Sequence, residues 1–317
     1  MDNAYDVVVV GGGAAGLNGA LMLARSRRSV LVVDAGQPRN APAEGVHGML
    51  GHDGVPPAEL LARGRDEVRR YGAEIVDATV ETVTGKEGSF AVTLDDGRTV
   101  EARRVLVTTG LVDELPDIEG MRARWGRDVV HCPYCHGWEV RDQPIGVVAT
   151  GSMAVHQALL FRQLSDDVVL FLNDQPDLPD DDAEQLAARG ITVVTGAVAG
   201  LQIEDDQITA VRLADGTAVA RSVVAVGART AARVPFLEHL GLSPVEHASG
   251  MGAHVAADEV GRTEVPGVWV AGNATDLSAQ VGAAAAAGAM AGGQINADLV
   301  AEEARAAVEA RPLRMGA

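Results

Sequence analysis

Both cysteines of the chain fall in the stretch HCPYCHGWE at 131–139, two residues apart and bracketed by His131 and His136. Three chemistries suit that arrangement. A Cys-x-x-Cys pair passes between dithiol and disulfide with little backbone movement, and a thiolate in it attacks an incoming sulfur through a mixed disulfide. The same four side chains are zinc ligand types, yet adjacent His–Cys pairs converge poorly on one tetrahedral ion, and no second Cys-x-x-Cys or spaced histidine pair accompanies them. Inert core thiols are the third reading. A histidine, with an ordinary pKa of about 6.5, suits proton transfer to and from thiols near neutrality. The expected catalytic set is therefore Cys132, Cys135 and His136, with no metal; for His131 a packing or capping role stands beside a catalytic one.

The elements that must carry this chemistry begin at residues 5–34, YDVVVVGGGAAGLNGALMLARSRRSVLVVD. They read as a buried strand, a glycine turn, a helix with an apolar face and a second strand ending in Asp34. The turn is Gly-x-Gly-x-x-Gly at Gly11, Gly13 and Gly16. The first glycine makes the tight turn, the second lets backbone approach a pyrophosphate, and the third lets helix pack on strand. The helix N-terminus adds N–H groups and partial positive charge, and Asp34 lies where a ribose hydroxyl is accepted.

A second unit starts at Ile145, IGVVATGSMAVHQALLFRQLSDDVVLFLND, with a damaged fingerprint: Ala149 occupies the first glycine position, Gly151 the middle and Ala154 the third. Between Arg162 and Arg189 there is no basic residue, while Asp174, Asp177, Asp180, Asp181 and Asp182 crowd the region that would meet a 2′-phosphate. NADPH finds no support there; NADH remains open through Asp174. Each unit is followed by a strand pair joined by an Asp-Gly turn, at 90–110 and at 208–228, as expected of two diverged copies of one plan.

Length and composition set the outer bounds. The chain of 317 residues is long enough for two cores, and its apolar runs are too short or too interrupted to span a bilayer. The start resembles no secretory signal, so a soluble, cytoplasmic protein is expected. A net charge of −18 argues against nucleic acid or an anionic membrane as partner.

The order of VVVVGGGAAG, VLVTTG (105–110), CPYC (132–135) and VWVAGNATD (268–276), followed by QVGAAAAAGAMAG, resembles the low-molecular-weight thioredoxin reductase family over essentially the whole chain. The resemblance implies an α/β fold of two Rossmann-like three-layer nucleotide-binding domains. The FAD domain would run from 1 to 114 and from 235 to 317, with an inserted, degraded NAD(P)H-like domain at 115–234 carrying the Cys-x-x-Cys. It implies FAD held at Gly11, Gly13, Ala14, Ala15 and Gly16, at Asp34, Ala35, Gln37, Arg39, Asn40 and His47, at Thr109 and Gly110, at Gly272 and Asn273, and at Gln280 and Val281. It also implies that Cys135 faces the flavin, that Cys132 exchanges with substrate, and that the protein is a homodimer. Four departures stand out: the broken second turn, the missing basic cluster, Asn273 where an aspartate is usual, and His136 where an acidic residue is typical. CPYCHGWE looks like the gliotoxin- and holomycin-type dithiol oxidases. The expected activity is closure of a disulfide in a small-molecule dithiol with molecular oxygen as acceptor. A thioredoxin reductase-like disulfide reductase using NAD(P)H or another donor is the alternative, and a non-catalytic flavin-binding redox sensor is the alternative of another class.

Overall fold

The computed structural model describes residues 3–311. Two compact units emerge: one holds the described residues up to Arg39, Ala58–Val112 and the chain from Ala231 onward, the other Asn40–Pro57 and Asp113–Thr230.

The first unit opens with β1 (Ala4–Val10), α1 (Ala14–Arg25) and β2 (Val30–Asp34), then α2 (Pro57–Arg70) and β3 (Glu74–Asp77). An antiparallel excursion, β4 (Val80–Lys86) and β5 (Ser89–Leu94), leads into β6 (Thr99–Val107) and β7 (Leu111–Glu114). β1 lies parallel between β2 and β6, with Val7 opposite Val30 and Arg104, and Val10 opposite Val33 and Val107. Val7, Val8, Val9 and Val10 are all buried. A strand covered on both faces reads as an unbroken β-branched run, which is why VVVV forms the centre of a parallel sheet.

The second unit contains α3 (Met121–Arg124), β8 (Val129–Val130), α4 (Pro133–His136), β9 (Ile145–Val148), α5 (Ala154–Phe161), β10 (Val168–Phe171), α6 (Asp180–Ala188) and β11 (Thr192–Val194). It continues through the antiparallel β12 (Val198–Glu204), β13 (Gln207–Leu213) and β14 (Ala218–Ala220), then β15 (Val223–Val226) and β16 (Arg229–Ala232). Its main sheet has the order β11-β10-β9-β15-β8, all parallel. Both expected Asp-Gly turns form: Asp96 Oδ1 accepts Arg98 N between β5 and β6, and Asp215 Oδ1 accepts Thr217 N between β13 and β14. The segment 40–57, left with the first unit on sequence, packs in the second. Its anchor is His47 Nε2, 3.5 Å from Glu139 Oε1.

Back in the first unit, β17 (Val245–Glu246), β18 (Gly252–His254) and β19 (Val268–Val270) precede the 29-residue α7 (Val281–Glu309). β19 joins the sheet beside β6. α7 lies against α1 at backbone contact: a Cβ on Gly288 would stand 1.9 Å from Ala15 O, and one on Gly292 2.6 Å from Gly19 O. The small residues of QVGAAAAAGAMAGG thus serve close helix packing as well as helix propensity. The C-terminal part of α7 is tied down by Arg104 of β6, whose side chain is fully buried and bonded to Asp298 (2.7 Å) and Glu302. No described helix is long and apolar enough to cross a membrane.

Candidate active site

β8 pairs with β15 at the sheet edge and delivers the chain to His131 and Cys132. Cys132 is extended, with φ −102° and ψ 120°, and Pro133 begins the single turn of α4, where its fixed φ and missing N–H cost nothing. That turn brings Cys135 back over Cys132: the two Sγ atoms are 2.6 Å apart, and Cys132 O accepts from the amides of Cys135 (3.2 Å) and His136 (3.1 Å). Gly137, unremarked in the sequence, is required here, since a Cβ on it would lie 2.1 Å from Pro133 O and 2.3 Å from Leu164 Cδ1.

The two flanking histidines differ. His131 Nδ1 pairs with Val226 O at 3.1 Å, and its carbonyl accepts from Gln157 Nε2 at 2.7 Å, so it ties the turn to the end of β15 and to α5. His136 has a buried Nε2 with no hydrogen-bond partner among the described residues. Burial pushes its imidazole below the usual histidine range, opposed by the carboxylate of Glu139 and assisted by His47. A neutral ring with an unsatisfied nitrogen, one residue along the chain from Cys135, is of a type that can take a thiol proton. His47 bridges two carboxylates, Glu139 and Asp53 (3.4 Å to Nδ1), on a loop closed by the Val46–Val55 bridge. Asn40 opens the same segment, where its carbonyl accepts Ala43 N. Asn40 and His47, expected at the flavin, thus belong to the unit that carries the dithiol.

In the first unit the three fingerprint glycines divide as their tasks require. Gly11 has φ +107°, and a Cβ there would lie 2.5 Å from Thr108 O; one on Gly16 would lie 1.9 Å from Gly11 O. Around Gly13 nothing stands within 4 Å of the same position. Gly13 caps α1 with no side-chain bond, which leaves the amides of the first turn, at Ala14 and Ala15, without a capping side chain. Gln280 caps α7 in the same way, ahead of Val281. Between these two helix ends lies Gly272 at φ +70°, where a Cβ would meet Ala15 Cβ at 2.9 Å. Asn273 uses its amide donor on Asp276 O and Ala279 O, which leaves Oδ1 as the atom it can offer a ligand hydroxyl. Thr109 Oγ1 is buried without a partner among the described residues, next to Gly110 at φ +68°. Asp34 accepts Gly36 N and is ion-paired with Arg65 of α2, which also reaches Asp77 at 2.9 Å. Gln37 O accepts from Arg233; Ala35 and Arg39 flank it in the loop after β2. Sequence reasoning missed Arg65, which no motif marks, and Gly12, whose Cβ would strike the Asp34 carboxylate at 2.6 Å. Two uncapped helix starts, a cradle that a side chain at Gly13 would fill, a ribose acceptor and an orphaned hydroxyl fit a flavin dinucleotide.

The corresponding turn of the second unit is built differently. Ala149 is buried, its N–H on Phe171 O and its carbonyl on the Asn173 amide. Thr150 Oγ1 donates to Gly227 O at 2.6 Å. Beyond β10, Asn173 and Asp174 both adopt positive φ, and α6 begins with Asp180, Asp181 and Asp182. Arg162 is committed to Asp166, Ser165 O and Arg189 O.

The fold and the cradle at α1 fit the class of flavin-dependent oxidoreductases. The chain belongs to the pyridine nucleotide-disulphide oxidoreductase family, whose pattern it matches over residues 5–293. Within that family it is thioredoxin reductase-like, and FAD is its cofactor. Similar proteins include thioredoxin reductase tcpT of Claviceps purpurea, 33% identical across 81% of this chain and 87% of that one. Thioredoxin reductase sirT of Leptosphaeria maculans is 30% identical across 92% and 93%. Among solved structures, HlmI is 47% identical with a TM-score of 0.90, covering 98% of this chain and 97% of its own. An oxidoreductase from Agrobacterium tumefaciens is 35% identical with a TM-score of 0.88, covering 94% and 99%.

Proposed function

We propose that this protein is a dithiol oxidase: it closes an intramolecular disulfide in a small-molecule dithiol, and molecular oxygen is the final electron acceptor. The observation that carries this reading is the second nucleotide turn, which keeps its strand and helix but offers little to a pyridine nucleotide. Ala149 sits where a glycine would admit the pyrophosphate, five aspartates follow β10, and Arg162 is already spent on its own neighbours. Losing two charge-assisted phosphate contacts at about 1.5–3 kcal/mol each weakens a nucleotide by roughly two to four orders of magnitude.

In the proposed reaction His136, neutral because it is half-buried, takes the proton of an incoming thiol. The resulting thiolate attacks Cys132 in the Cys132–Cys135 disulfide, and Cys135 leaves as the thiolate. The second substrate thiol then attacks the first sulfur and releases Cys132, its proton passing to the departing cysteine sulfur, so substrate is oxidised by two electrons and the cysteine pair is reduced. When bound, FAD supplies the two-electron acceptor chemistry that returns the cysteine pair to its disulfide. Ala14 and Ala15 with Gly11, Gly13 and Gly16 would hold its pyrophosphate and Asp34 its ribose. Asn273, with Gly272, Gln280 and Val281, would hold the ribityl and ring end, and Ala35, Gln37, Arg39, Thr109 and Gly110 would complete the lining. We assign His47 to the acid–base surroundings of His136.

The names of the curated relatives favour a second reading, a disulfide reductase fed by NAD(P)H. Anaerobic mixing separates the two. On the oxidase reading a small dithiol bleaches the flavin, air restores the colour, and micromolar NADPH leaves it yellow. Rapid bleaching by NADPH would establish the reductase instead.

A further inference from the structure

The chain has three tryptophans and three tyrosines, and one of each stands on the dithiol turn with most of its surface in water. Tyr134, between the cysteines, and Trp138 are each 67% exposed. Gly137 continues the helical geometry of α4, with φ −69° and ψ −33°, so positions 134 and 138, four apart, fall on one side of the turn. Trp138 is held in place: the Arg141 guanidinium lies 4.1 Å from the ring centroid, and its Nη1 donates to Trp138 O at 2.6 Å. The guanidinium thus lies over one indole face, while Trp138 keeps most of its surface exposed. The remaining tryptophans are used differently, Trp269 buried in the first unit and Trp125 packed against the core of the second. Glu139, Arg141 and Asp142, all exposed, bound the aromatic pair on its chain-forward side. Two rings flanked by charged side chains make a small apolar patch beside the roughly 800 Å² per partner that a stable protein interface buries.

We propose that Tyr134 and Trp138 form a stacking platform that selects flat, conjugated small-molecule dithiols for exchange with Cys132. A planar scaffold resting on the open rings presents its sulfurs beside the disulfide, whereas a flexible aliphatic dithiol gains no such contact. The step itself is the exchange already written, in which substrate loses two electrons and two protons and the Cys132–Cys135 bond is reduced. This inference rests on the dithiol-oxidase reading and names its substrate class.

The test uses the full-length FAD-loaded protein and two probes that both close five-membered cyclic disulfides. Naphthalene-1,8-dithiol is flat and conjugated; propane-1,3-dithiol carries no ring. Anaerobic flavin bleaching gives kcat/KM for each, and their ratio is the readout. Trp138→Ala and Tyr134→Ala should each lower the aryl-to-alkyl ratio about three- to tenfold, the size expected for loss of one stacked ring, and Trp138→Phe should restore most of it. If Trp138→Ala fails to retain FAD, Tyr134→Ala and Trp138→Phe decide alone. An unchanged ratio in the alanine variants, with both dithiols still turned over, overturns the platform and leaves the oxidase reading intact. Selective loss of activity toward oxidised thioredoxin overturns it too, in favour of a protein-docking role. Failure of both dithiols to bleach the unsubstituted protein sinks the oxidase reading along with the platform.

Discussion

Gly13→Val is the substitution that most sharply separates a ligand cradle from a folding requirement. At Gly13 φ is −78° and ψ −172°, a conformation open to any L-residue, and a Cβ there meets nothing within 4 Å. The chain itself therefore loses only a fraction of helix capping, at most about 1 kcal/mol. A bound pyrophosphate would lose its approach to the first-turn amides. If two charge-assisted bonds of about 1.5–3 kcal/mol each go, affinity falls by roughly two to four orders of magnitude. Gly16→Ala reverses the pattern, because its Cβ would stand 1.9 Å from Gly11 O and 2.6 Å from Thr108 Oγ1, with backbone that cannot step aside. Overpacking of that kind costs about 1–3 kcal/mol or more in the apoprotein. The assay is the flavin-to-protein absorbance ratio after desalting, paired with thermal unfolding of each apoprotein. Gly13→Val should come off the column colourless yet melt within a few degrees of the unsubstituted apoprotein, whereas apo Gly16→Ala should melt clearly lower. Stoichiometric flavin in Gly13→Val would refute the cradle; an equal loss of stability in both variants would refute the division of labour among the glycines.

Three further outcomes follow from the same geometry. With substrate dithiol, Cys135→Ser should trap a mixed disulfide on Cys132, visible as a mass increase of one substrate, and Cys132→Ser should trap none; the reverse pattern would exchange the two roles. Since burial holds His136 below its ordinary pKa of about 6.5, its ring should protonate at a lower pH than a free histidine in an NMR titration. Glu139→Gln, which removes the opposing carboxylate, should lower the midpoint further, and His47→Asn should raise it. The linkage sign matches: the unfolded histidine binds its proton first, so the contribution of His136 to stability is present above pH 6.5 and lost as pH falls through the folded pKa. Arg104→Met should lower unfolding free energy by about 1–3 kcal/mol in a denaturant titration, because it leaves Asp298 without its arginine while Glu302 keeps Arg103; an unchanged stability would mean the network is ornamental to it.

The parts of the molecule that were legible in the sequence are those governed by local rules. VVVV followed by three glycines reads as strand and turn because burial on both faces and positive φ are written in single residues, and the Asp-Gly hairpins read for the same reason. The Cys-x-x-Cys was visible because its partners are three residues apart. What escaped was set by long-range contact: Arg65 reaches Asp34 across 31 positions, and His47 meets Glu139 across 92. Neither position has a neighbour in sequence that announces its partner. The segment 40–57 was left with the first unit because it follows β2 directly, while its packing is decided by a partner far along the chain.

The supports of the dithiol turn also bear on why, on the proposed oxidase reading, the second unit keeps its Rossmann frame. The dithiol turn has little support of its own: α4 is four residues long, and β8 before it only two. Its position is borrowed from the Rossmann frame, through β8 pairing with β15, His131 bonded to Val226 O at the end of β15, and Gln157 of α5 bonded to His131 O. Of these, α5 follows the turn at Ala149 directly, and the end of β15 lies beside that turn, with Val226 opposite Val148 and Thr150 Oγ1 on Gly227 O. Loss of β15 or α5 would release the sulfurs, so the dithiol turn by itself requires the frame. On the proposed oxidase reading the frame is required mechanically even where no nucleotide is used, which accords with a five-stranded parallel sheet kept beside a turn with Ala149 in the first glycine position.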